Sequence, residues 1–219
     1  MKTAKYRLNR RGFLTICGGV MTEQFLTRNT LPAHAQSNSS TGKNAGESAD
    51  EKKKELVEKA YKLGFDYLSN GKYPGCALCT LAAIQDTLNI RDDTVFKAAS
   101  GMSGGGGGTG VGNCGSYTGC SLVIGQLCGC KRSNPQSRYC YKKSNGMVEK
   151  ITEVFNREYG SVICRDIQVK VFGRYFDFKN TEEVAQFRKA GASEKCGTVV
   201  AKGAQCAVEL ILDEGLAKI

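Results

Sequence analysis

Sulfur is the one redox-capable side-chain element that this chain supplies in number, with 11 cysteines against a single histidine, His34. Four of those cysteines stand where chemistry is favoured. Cys76 follows Pro74-Gly75, Cys114 follows the candidate cap Asn113, and Cys164 and Cys196 each lie three residues after a candidate cap, Ser161 and Ser193. All four positions read as helix starts, where free N–H groups and the helix dipole favour a thiolate over a thiol. If the four ends converge, the set Cys76, Cys114, Cys164 and Cys196 is a redox core and equally a candidate metal ligand set. Two chemistries compete for it. One is an iron–sulfur cluster held by thiolates from separate helices, since ferredoxin spacings are absent. The other is a dithiol/disulfide couple, for which Cys76-x-x-Cys79 is a candidate because both lie in one helical turn. Structural zinc through the four cysteines is a third option, with closed coordination and no turnover.

The other cysteines are restricted by geometry. At 1.5 Å per residue Cys206 lies about 15 Å along a helix from Cys196, so both cannot serve one small site. Cys206 reads as a core residue or a disulfide partner. Cys120 lies about 240° around a helix from Cys114 and belongs elsewhere. Cys128-Gly-Cys130 and Cys140 bracket a loop with Lys131, Arg132 and Pro135. That loop reads as a disulfide-stapled excursion, ahead of a second metal site built from Cys120, Cys128, Cys130 and Cys140.

A glycine run leads into Cys114. Gly110-Val-Gly112-Asn-Cys-Gly115 satisfies the dinucleotide pattern G-x-G-x-x-G. However, no strand precedes it, and no Lys-Ser/Thr pair makes a phosphate loop. The better reading takes Gly108, Gly110, Gly112 and Gly115 as cofactor-binding backbone, with unhindered N–H donors for an anionic sulfur centre. A plain surface loop is the alternative. Hydrolytic or transfer chemistry lacks a histidine base beyond residue 35 and a G-x-S-x-G elbow. A non-redox alternative is a disulfide-stapled helical binding or structural domain.

The elements that must position these residues are mainly helical. Helices are expected from Asp50 to Ser69, with Leu56, Ala60, Leu63 and Tyr67 on one stripe, and at 75–88, 92–99, 114–125, 146–159, 181–190 and 194–212. Only residues 167–178, alternating around Gly173-Arg174, suggest a short β-hairpin. The expected fold class is mainly α: a compact multi-helix single domain with a glycine-rich loop.

The N-terminus reads as targeting. Asn9-Arg10-Arg11-Gly12-Phe13-Leu14 is a twin-arginine motif, a weakly apolar stretch follows, and Ala33-His34-Ala35 is a small-x-small peptidase site. Residues 1–35 are thus expected to be a Tat signal peptide, 36–50 a flexible linker and 51–219 the redox domain. Glu23 and Arg28 interrupt a run too short for a membrane anchor. Removing residues 1–35 takes away six basic residues and one acid, lowering the formal charge from +10 to +5. No basic cluster with interleaved aromatics points to nucleic acid. The expected location is periplasmic or extracytoplasmic. The expected partners are the Tat translocase and an unidentified redox protein.

Four stretches carry a resemblance. Gly75-Cys76-Ala-Leu-Cys79-Thr-Leu-Ala-Ala-Ile, Gly112-Asn-Cys114-Gly-Ser-Tyr-Thr-Gly119, Glu158-Tyr-Gly160-Ser-Val-Ile-Cys164-Arg165-Asp and Lys195-Cys196 resemble, in order and spacing, the C-GCAxxG-C-C family of redox-active proteins. The resemblance implies a compact helical protein with a redox role, common in anaerobes, whose signature cysteines are Cys76, Cys114, Cys164 and Cys196. The remaining cysteines are additions, and Ser116 stands where alanine is usual. Some relatives carry c-type haem, but Cys76-Ala-Leu-Cys79 is followed by Thr80 where covalent haem attachment needs histidine.

Overall fold

The second helix is apolar on every side, and that sets the architecture. In Cys76–Leu88 nearly every residue from Ala77 to Gln85 is buried, as expected of a helix wrapped by others rather than laid on a surface. The computed structural model describes residues 41–218, and among these the chain forms eight helices and no strand. They are α1 (Thr41–Ser69), α2 (Cys76–Leu88), α3 (Asp93–Ala98), α4 (Gly115–Cys128), α5 (Arg138–Tyr159), α6 (Cys164–Phe172), α7 (Thr181–Lys189) and α8 (Ala192–Asp213). α1 pairs along α8, α2 packs on α1, α4 and α8, and α5 closes against α4. The core runs from Ala60 and Tyr67 through Leu81, Ile84, Val123 and Ile124 to Ile151, Phe155, Val200, Val208 and Ile211. The described residues fall in one compact unit, and no helix among them is long and apolar enough to cross a membrane.

Small residues let the helices approach. A Cβ on Gly119 of α4 would lie 2.8 Å from the Ala77 carbonyl of α2, and one on Gly64 of α1 would lie 3.0 Å from Ala201 Cα of α8. Ser116 is accommodated in the core because its hydroxyl donates to the Val199 carbonyl of α8 at 3.1 Å.

Several expectations need correction. The pattern read as a hairpin over 167–178 contains α6, which Gly173 closes in the left-handed region while its N–H bonds the Val169 carbonyl at 2.9 Å. Ile167 and Val171 share one helical face and line a cavity, whereas Val169 points out at 48% exposure. Alternation would have put all three on one side. α1 starts at Thr41, inside the segment read as a linker, and no proline between there and Asp50 stops the helix. α5 starts at Arg138, eight residues early, because Ser137 accepts the Cys140 N–H as a cap. Residues 1–40 lie outside the description, and with them the export signal and its cleavage site.

Candidate redox site

The four cysteines singled out above all line one cavity of about 460 Å³, together with Ser103, Gly104 and residues of α6, α7 and α8. Their local settings differ from what the sequence suggests. Cys76 is the first residue of α2, entered through Gly75 at φ 87°, a conformation that favours glycine. Cys114 is itself the N-cap of α4, one residue later than the cap expected at Asn113. Asn113 instead forms an isolated antiparallel bridge with Ile163. Cys164 opens α6, preceded by Ser161, whose hydroxyl takes the Ile163 N–H at 3.0 Å and donates to Asp166 at 2.8 Å. Cys196 is not at a helix start: α8 begins at Ala192, so Cys196 sits in the second turn, where the dipole no longer favours a thiolate.

Two of the four are in direct contact. The start of α4 brings Cys114 and the Gly115 backbone against Cys76 Sγ, and the Cys114 side chain, the Gly104 and Gly115 backbone and the Ser103 side chain all favour its thiolate. Ser103 is fixed by accepting the Ala77 N–H at 3.1 Å. Gly115 is required here, since any Cβ at that position would collide with Cys76 Sγ. The Cys114 hydrogen bond, more than the other donors and against the effect of burial, brings the Cys76 thiol down to about 6. Its partner moves the opposite way: Cys114 is held well above the ordinary thiol range by the proton it shares with Cys76, by burial and by the Cys76 charge. One sulfur is thus an anion at neutral pH and the other keeps its proton.

The remaining thiols stay protonated. Burial pushes Cys164 up to about 11, with the Gln168 amide 3.5 Å from its sulfur. Burial also raises Cys196, helped by the Cys76 thiolate and by the nearby Cys164. The expected Cys76/Cys79 pair does not form. Cys79 is wholly buried, its thiol donates to the Tyr73 carbonyl at 3.3 Å, and burial raises it to about 11.

The glycine run also needs correction. Of Gly108, Gly110, Gly112 and Gly115, Gly115 is the one whose backbone packs against Cys76 Sγ. The N–H groups of Gly108, Gly110 and Gly112 bond to Ser103, Gly104 and Gly105 carbonyls inside the loop at 3.2, 2.8 and 3.0 Å. The Gly110 and Gly112 carbonyls accept the Arg165 and Cys164 N–H groups at 2.9 and 3.0 Å, closing the start of α6. Gly104 to Gly108 all have positive φ, so the loop folds back on itself as only glycine readily allows.

The extra cysteines lie elsewhere. Cys130 and Cys140 form a disulfide, which staples the loop as expected, but Cys128 stays free and donates to the Ile124 carbonyl at 3.2 Å. Cys120 is buried and donates to the Gly203 carbonyl at 3.3 Å. Cys206 is a free, half-buried residue packed on the core. Sequence reasoning missed Ser103 and Tyr159. Tyr159 has a buried hydroxyl without a partner among the described residues, and burial and then its Cys114 neighbour raise its pKa. Neither residue carries a spacing or composition signal.

Four cysteines on one cavity are the donor set of an iron–sulfur cluster in kind. As the thiols stand, however, no three His, Cys, Asp or Glu side chains among the described residues are placed to hold a metal ion. The cysteines on this cavity are compatible with a cluster as well as with a sulfur pair.

A helical core with four thiols gathered on one cavity defines a class, the small cysteine-based proteins. Within it, this chain belongs to the family described as "putative redox-active protein (C_GCAxxG_C_C)", whose model matches residues 75–210, more than half of the chain. No curated protein and no solved structure matches it.

Proposed function

We propose that the chain is a dithiol/disulfide redox protein in which Cys76 attacks and Cys114 resolves. The observations that carry this reading are the placing of Cys76 and Cys114 on one cavity, at the starts of two helices that pack together, and the lowering of the Cys76 thiol by its Cys114 neighbour. The Cys76 thiolate attacks one sulfur of a substrate disulfide; the S–S bond breaks and the first product leaves as a thiolate, which takes a proton from water. Cys114 then attacks Cys76 sulfur in the mixed disulfide and gives its proton to the second leaving thiolate. The substrate gains two electrons and the protein keeps a Cys76–Cys114 disulfide, which an external dithiol reduces to restart the cycle. The twin-arginine residues and the Cys130–Cys140 disulfide support work outside the cytoplasm, where disulfides persist.

The test is peptide mapping of the reduced full chain after exposure to a small disulfide. The expected product is a Cys76–Cys114 linkage, with Cys114→Ser trapping the mixed disulfide on Cys76. A chain without a reactive Cys76 overturns the reading in favour of a structural domain. The convergence of four thiols also supports an iron–sulfur electron carrier, and stoichiometric iron and inorganic sulfide in protein purified without oxygen would replace the dithiol reading with that one.

A further inference from the structure

The walls around the sulfur pair carry information about its reactant. Phe172 of α6, Phe178 and Phe187 of α7 all line the cavity. Their rings are clustered, with centroids 5.1 Å apart for Phe172–Phe187 and 4.9 Å for Phe178–Phe187. Two of the polar groups of the wall are already used: the Gln168 amide bonds Cys164 and the Phe176 N–H, and Ser103 bonds Ala77, which leaves the exposed Ser193 hydroxyl. No Asp or Glu lines the cavity among the described residues. One cation lines it and a second stands over one of its aromatic walls. Arg188 lines it, is exposed and makes no ion pair among the described residues, and Lys195 Nζ stands 4.9 Å from the Phe172 centroid.

Aromatic walls with few spare hydrogen-bonding groups select flat apolar molecules. Cations without carboxylate partners select negative charge. A cavity of about 460 Å³ is in the range of small-molecule sites. Resting on the dithiol reading above, we propose that the reactant is a small aromatic disulfide bearing a carboxylate. It lies against Phe172, Phe178 and Phe187, with its carboxylate toward Arg188 and Lys195. Cys76 forms a mixed disulfide with one aryl sulfur and expels the other as an aryl thiolate. Cys114 closes the protein disulfide and releases the second half as a thiol, so two electrons pass to the aryl disulfide.

The test compares three oxidants on the reduced full chain near neutral pH: dithiobis(nitrobenzoate), aromatic and anionic; dithiodipyridine, aromatic and neutral; and cystamine, aliphatic and cationic. Each rate is divided by that of the same oxidant with free glutathione, which removes intrinsic reactivity. The expected order is anionic aromatic, neutral aromatic, then cystamine. Arg188→Gln should lower the anionic-to-neutral ratio about threefold, the size of a screened surface charge contact. Phe187→Ala should lower both aromatic rates about fivefold relative to cystamine. Equal normalised rates, or a ratio that Arg188→Gln leaves unmoved, overturn the proposal while leaving the dithiol reading intact. Absence of a Cys76–Cys114 disulfide with every oxidant instead overturns the reading beneath it.

Discussion

Cys76 and Cys114 have the same side chain yet move in opposite directions from the ordinary thiol value of 9.0. The asymmetry comes from a shared proton: one sulfur receives it as a hydrogen bond and the other supplies it. Alkylation of the reduced protein should therefore rise through a midpoint near pH 6 at Cys76 alone, the other thiols reacting only in alkali. Removing the Cys114 donor with Cys114→Ala should raise that midpoint and slow Cys76 alkylation at neutral pH about tenfold, as the thiolate fraction falls. Stability follows the same groups. Between pH 6 and 9 unfolded Cys76 holds a proton that the folded residue has released, so reduced protein gains stability as pH rises. Above 9 the sign reverses, because unfolded Cys114, Cys164 and Cys196 ionise while their folded forms do not. Urea midpoints measured against pH should show the rising limb in the native sequence and lose it in Cys76→Ser. The cysteine positions made the four thiols legible in the sequence. Which two would touch was not, because that depends on how two helix starts meet in space.

At the scale of elements, that meeting is set by the face of α4 carrying Gly115 and Gly119. Gly119→Ala would press a methyl group against the Ala77 carbonyl, a backbone atom that cannot turn aside. The expected cost is about 1–3 kcal/mol, the usual range for overpacking, read as a lowered denaturation midpoint, with Cys76 alkylation slowed as α2 and α4 separate. Helix periodicity made α2, α3, α7 and most of α8 legible, and the α1 stripe of Leu56, Ala60, Leu63 and Tyr67 does face the core. α6 was hidden because Ile167, Val169 and Val171 alternate like a strand while spanning little more than one helical turn. The early start of α5 was hidden behind a loop whose lysines, tyrosines and cysteines carry no apolar period.

At the scale of the molecule, sulfur does two different jobs at the two ends of one helix. Cys114 caps the start of α4, and the Cys130–Cys140 disulfide closes the loop just past its end, about 20 Å away by the helical rise. The disulfide closes a short loop between α4 and α5. Cys130→Ser with Cys140→Ser should cost about 2–3 kcal/mol on the loop-entropy relation. Thermal unfolding should record that loss, while the Cys76 alkylation rate stays as in the native chain. The mainly helical fold and the cysteine-rich character were readable from the sequence; the ranking of the thiols was not, since it rests on burial and on backbone donors that composition does not encode. The separation along α4 is also a form of insulation. On the dithiol reading proposed above, the working pair and the staple stand at opposite ends of α4, so a change of oxidation state at one leaves the geometry of the other in place.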